Sequence, residues 1–118
     1  MKAILKSLNE TLNARGSLIV SKDGLLIAAE VGPDAQVDRL AAMGAAILSD
    51  VRKSLADAGM SEFTQCEVAA EQGKVVLMAA GPAYLLVLTG PRIEMGPAIV
   101  EIRSAARQVA KAAEFVSA

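Results

Sequence analysis

Histidine is absent from this 118-residue chain and cysteine occurs once, as Cys66. Without histidine the commonest general acid/base and metal ligand is missing, and one cysteine completes neither a His/Cys metal cluster nor an internal disulfide. The usual catalytic triads are thereby excluded, and neither a metal nor a cofactor is expected. Aromatics are scarce too: Phe63, Tyr84 and Phe115 are the whole set, so a hydrophobic fraction of 53% has to build an aliphatic, alanine-rich core. Neither sign of charge dominates. Twelve basic and thirteen acidic residues leave a net charge of -1 with no Lys/Arg cluster, which argues against nucleic acid and membrane surfaces as partners. Long apolar runs are also lacking. Val75 to Ala80 falls far short of the ~18 residues of a spanning helix, and Met1 to Leu12 has no signal-peptide apolar block. A single cytoplasmic domain over residues 1–118 is the expectation.

What is present is strongly patterned. Ile4, Leu5, Leu8 and Leu12 recur at helical spacing, predicting an amphipathic helix over Lys2 to Ala14 that Gly16 ends. Ser17 to Ser21 and Leu25 to Val31 read as strands joined at Asp23-Gly24, a strong hairpin signal. From Asp34 to Ala58, the positions Val37, Leu40, Ala41, Gly44, Ile47, Leu48, Val51 and Leu55 form one apolar stripe. They predict a long helix with Asp34 as N-cap and Gly59 as its stop. Phe63 to Ala70, Lys74 to Ala80 and Ala83 to Thr89 follow as three strands, linked so tightly that they must run antiparallel. Met95, Ala98, Ile99, Ile102, Ala105, Ala106, Val109, Ala113 and Val116 mark a final helix. The runs at Leu25, Val75 and Leu85 are apolar on both alternating sides and are expected to be covered on both faces. The Phe63 to Ala70 strand differs. Its polar Gln65 and Glu67 alternate with Cys66 and Val68, as on a sheet edge or a half-wet face.

Motifs that carry chemistry are few. Asp23, Asp34, Asp38, Glu67 and Glu71 lie at turns, caps and hairpin ends, where solvated charges and capping account for them far better than paired-carboxylate chemistry does. Gly73-Lys74 and Gly90-Pro91 lack the spacing of a phosphate loop and suit turns. Cys66 reads as a small core hydrophobe, or as a residue near a two-fold axis. The long helix is more informative. Its outward face carries Arg39, Ala42, Ala46, Ser49, Asp50 and Lys53 with Met43 on the flank, so its middle is small or apolar where a solvated helix would be charged. Alanine's helix propensity and a contact surface both explain this. On the last helix Val100 and Phe115 lie off the buried stripe, and Phe115 either folds back, marks a further contact or frays.

The order of elements, with Gly16-Ser17-Leu18-Ile19-Val20-Ser21-Lys22-Asp23-Gly24-Leu25-Leu26-Ile27-Ala28 as its opening hairpin, resembles the roadblock/dynein light-chain family over essentially the whole chain. Gly81 to Thr89 is similar to that family's late central strand and Glu94 to Ala113 to its closing helix. The resemblance implies an α/β sandwich of order α-β-β-α-β-β-β-α. A five-stranded antiparallel sheet would carry the long helix on one face and the two terminal helices on the other. It further implies a homodimer in which the third strand pairs with its mate and the long helices lie side by side. Members act on or alongside small Ras-like GTPases, and the chain looks most like prokaryotic members that partner a gliding-type GTPase. The expected contact residues are then Arg39, Ala42, Met43, Ala46, Asp50 and Lys53 on the helix, with Thr64, Gln65, Cys66, Glu67 and Val68 on the strand. A scaffold subunit without effect on nucleotide turnover, and a profilin-like small-molecule-binding domain, are the alternatives. The latter would need a sizeable pocket.

Overall fold

A computed structural model describes residues 1–60 and 62–117, with side chains as far as residue 113. Its elements follow the expected order: α1 (Lys2–Leu12), β1 (Gly16–Ser21), β2 (Leu26–Val31), α2 (Val37–Asp57), β3 (Gln65–Ala70), β4 (Gly73–Ala80), β5 (Ala83–Thr89) and α3 (Met95–Ser117). All pairings are antiparallel, in the spatial order β2-β1-β5-β4-β3. The first hairpin therefore joins the meander through β1 and β5, and β2 and β3 form the two edges.

Alternation along the central strands divides the core into two layers. Ile19, Val76, Met78, Leu85 and Val87 face α1 and α3, where Leu5, Leu8, Ile102, Ala105, Ala106 and Val109 meet them. Leu18, Val20, Leu77, Tyr84 and Leu86 point the other way, toward Leu48 of α2 and Phe63. Each fully buried Leu, Ile or Val contributes about 1.5–3 kcal/mol, so this doubly covered centre supplies most of the driving force. The expected two-sided burial holds for β4 and β5. It fails for β2, an edge strand on which Leu26 and Ile27 are 42% and 49% exposed, with Leu25 just before it 69% exposed. Apolar composition predicted cover on both faces, but sheet order is set by which strands pair across the chain.

The helix ends show how local chemistry sets boundaries. Asn13 ends α1 two residues earlier than expected by adopting φ 50°, a left-handed conformation that asparagine tolerates, and Gly16 instead opens β1. Asp34 does not cap α2. Gly32 to Ala35 form a turn, with the Ala35 N–H donating to the Gly32 carbonyl, and the helix begins at Val37. Gly59 does stop α2 as expected. At φ +76° it lets its own N–H reach the Ala56 carbonyl and the Met60 N–H reach the Leu55 carbonyl, the paired bonds of a Schellman ending. The third strand begins at Gln65, two residues later than expected, because Phe63 is drawn into the core against Tyr84, 5.3 Å between ring centroids. The side chain of Phe115 lies outside the described residues.

Polar groups pin α1 to the sheet. Buried Ser17 donates through Oγ to Asn9 Oδ1 at 2.8 Å, and Asn9 Nδ2 donates to the Glu30 carbonyl at 2.9 Å. One asparagine thus ties α1 to both β1 and β2.

Candidate contact surface

Strand β3 pairs with β4 in an unbroken register from Gln65↔Met78 to Ala70↔Gly73, and its outer side has no strand neighbour in the chain. Its residues split by parity between the two faces of the sheet. Cys66 and Val68 lie opposite Leu77 and Val75 on the α2 side, where Cys66 is partly buried and Val68 is 42% exposed. Gln65 and Glu67 lie opposite Met78 and Val76 on the α3 side. There Gln65 Oε1 accepts from Arg103 Nη2 at 3.3 Å and Glu67 pairs with Lys74 at 3.9 Å. Thr64 stands just before the strand, its carbonyl accepting from the Ala79 N–H at 2.9 Å.

Helix α2 shares the Cys66 and Val68 side. Gly44 is buried against the sheet: a Cβ there would lie 2.5 Å from Leu86 Cδ1, so a larger residue would require the Leu86 side chain to shift. Turned away are Arg39, Ala42, Ala46, Asp50 and Lys53, all exposed, with Met43 half-buried. Among the described residues none of Arg39, Asp50 and Lys53 forms an ion pair within the chain. Helix and strand residues thus lie toward one side of the sheet, and the helix presents a surface that is small or apolar at its middle and charged at its margins.

Sequence reasoning missed the feature that holds this surface in place. Arg52 on α2 donates through Nε and Nη2 to Glu62 Oε1 at 3.1 and 2.6 Å, and through Nη1 to the Lys22 carbonyl at 3.3 Å. The Tyr84 hydroxyl donates to Glu62 Oε2 at 3.0 Å. The cluster joins α2, the β1–β2 turn, the segment leading into β3, and β5. Hydrogen bonding from Arg52, then from Tyr84, holds the Glu62 carboxyl below its ordinary value of 4.5. Burial, then the hydrogen bond to Glu62, raises the Tyr84 hydroxyl. No motif spacing announces four residues so far apart in the chain.

Among the described residues no group of three or more Cys, Asp or Glu side chains is placed to hold a metal ion. No described helix is long and apolar enough to cross a membrane.

The fold defines a small α/β sandwich, a five-stranded antiparallel sheet with one helix on one face and two on the other. The model of the Roadblock/LC7 domain matches residues 2–89, and the chain belongs to that family. Uncharacterized protein MJ1340 of Methanocaldococcus jannaschii is 30% identical over 106 residues, 90% of this chain and 93% of its own length. Among solved structures, MglB of Myxococcus xanthus superposes with a TM-score of 0.88 at 21% identity, covering 96% of this chain and 94% of its own. The gliding protein MglB of Thermus thermophilus gives 0.85 at 19% identity, covering 97% and 88%.

Proposed function

We propose that this chain is a homodimeric regulator or adaptor that binds a small Ras-like GTPase and modulates its GTP hydrolysis or nucleotide state, with no catalytic centre of its own. The observations that carry the reading are a β3 edge in regular register without a strand neighbour in the chain, and a small-residue outward face on α2, the helix on the same side of the sheet as Cys66 and Val68. Membership of the Roadblock/LC7 family supports it. In this reading two β3 strands pair about a two-fold axis, extending the sheet and covering Cys66 and Val68. The α2 helices then lie side by side, with Ala42 and Ala46 permitting close approach, and present Arg39, Met43, Asp50 and Lys53 to the GTPase. A partner of this kind acts by reshaping the GTPase, whose own groups and magnesium carry the phosphoryl transfer.

Pull-down against a Ras-like GTPase from the same genome, loaded with GDP or with a non-hydrolysable GTP analogue, is the direct trial. Retention in at least one state is expected, and retention in neither removes the GTPase from the reading. Hydrolysis followed with and without this protein then separates a regulator from a scaffold, which would bind and leave turnover unchanged.

A further inference from the structure

On the face of the sheet opposite α2, the start of β3 and the β4–β5 turn leave a groove beside α3 of about 330 Å³. Its floor is apolar and tightly built. Met78, Ala80 and Ala106 are 4%, 1% and 4% exposed. Its rim is cationic: Arg103 and Arg107, one helical turn apart on α3, both border it, and Gln65 stands across from them. No carboxylate among the described residues lies within 4 Å of either guanidinium. Among the described residues Arg103 donates to the uncharged Gln65 amide, through Nη2 to Oε1 at 3.3 Å.

We propose that this groove docks an acidic segment of a protein partner, seating one apolar side chain on the alanine floor while flanking carboxylates reach Arg103 and Arg107. Charge complementarity selects the occupant. A guanidinium prefers a carboxylate that can accept two parallel hydrogen bonds, and two such forks at helical i, i+4 spacing match carboxylates on either side of a central residue. Nucleic acid and anionic lipid fit less well, because both engage clusters of several cations and this rim offers two. The apolar floor would also be left unfilled by a phosphate group. The groove is built within one chain, so each protomer of a dimer would carry its own, with Gln65 at its border belonging to the strand proposed to pair with a second copy.

Backbone amide NMR of the full chain, titrated with a short acetylated peptide of glutamates around one leucine, tests this. Shifts grouped at Gln65, Gly81, Ala106 and Arg107 are expected, weakening as salt is raised. The double variant Arg103→Gln/Arg107→Gln changes exposed positions and should keep the dispersion of the folded protein. It should bind the peptide about tenfold more weakly, the loss of two surface ion pairs. Absence of binding, shifts scattered over the surface, or equal affinity for the double variant or for a lysine-for-glutamate peptide would overturn the proposal. Equally strong shifts from inorganic phosphate would reduce the site to a bare anion contact and overturn it as well. Self-association through the groove, abolished by the double variant, would make the occupant a second copy instead.

Discussion

Strands β2 and β3 close the two ends of one sheet, and they solve the problem of an open edge differently. On β2 the apolar side chains are conspicuous, with Leu26 and Ile27 exposed and Leu25 exposed just before the strand. Its ladder is broken there: Ile19 pairs with Ala28 while Val20 pairs with Leu26, so Ile27 is an extra residue that bulges the strand. A bulge bends an edge and takes its free N–H and C=O groups out of line for another strand. On β3 the register runs without a shift, and polar Gln65 and Glu67 alternate with Cys66 and Val68. The more hydrophobic edge is thus the one whose backbone is spoiled for pairing. The milder edge keeps its hydrogen-bonding groups aligned. If β3 pairs with a second copy, as proposed, backbone regularity rather than apolar side chains marks the edge that is used.

The contrast can be broken most forcefully by charge. Val68→Lys on β3 is expected to convert the proposed dimer to monomer, since it buries an unpaired ammonium beside its symmetry mate. The cost is on the order of 3 kcal/mol, roughly a hundredfold in dissociation constant. Sedimentation analysis reads the mass, and the monomer should keep its fold because lysine is well tolerated on an exposed edge. Ile27→Lys on β2 should leave the mass unchanged. If both variants or neither dissociate, the two edges are not functionally distinct.

Deleting Ile27 tests the bulge itself. A straightened, apolar β2 edge should acquire association of its own, seen as larger species in light scattering while wild type shows none. An unchanged size distribution would mean that the bulge protects nothing. A third, smaller effect is expected on α2. Ala46→Glu places a carboxylate where helices approach closely and should weaken dimer or GTPase binding by about 1–3 kcal/mol. Unchanged dimer and unchanged binding would take α2 out of the contact surface.

The smallest effect belongs to the Arg52–Glu62–Tyr84 cluster, which steadies the approach to β3 and has no counterpart on β2. The folded-state pKa of Glu62 is depressed, so its contribution to stability is present in full above the ordinary value of 4.5. It is lost as the pH falls below that value through the depressed one. Thermal melts of wild type and Glu62→Gln should therefore differ modestly near neutral pH and converge in acid. A gap that stays constant down to strongly acid pH would show that the ionised carboxylate contributes nothing.

Much of the architecture was legible residue by residue. The Asp23-Gly24 turn, the stripe from Val37 to Leu55, the Gly59 stop and the alternation through Gln65 to Val68 each reflect chemistry within a few positions. The structure agrees with all of them. The outward placement of Arg39, Ala42, Ala46, Asp50 and Lys53 followed from helical period alone. Less legible were features that need a distant partner. Leu25 to Ile27 look like a buried strand because nothing local says that no element covers them, and Phe63 looks like a strand residue because its attraction to Tyr84 acts across the fold.

By itself the sequence determined that histidine, triad and cysteine-cluster chemistry is unavailable, that the core is aliphatic, and that strands and helices alternate in this order. Those properties reside in composition and in periodicities of two and 3.6 residues. Only the tertiary structure decided that β1 and β5 meet in the middle of the sheet, that one edge is bulged and the other straight, and that Arg52, Glu62 and Tyr84 converge. The reason is physical: local periodicity states which way a side chain points within its own element, whereas the identity of a neighbour comes from the packing of the whole chain.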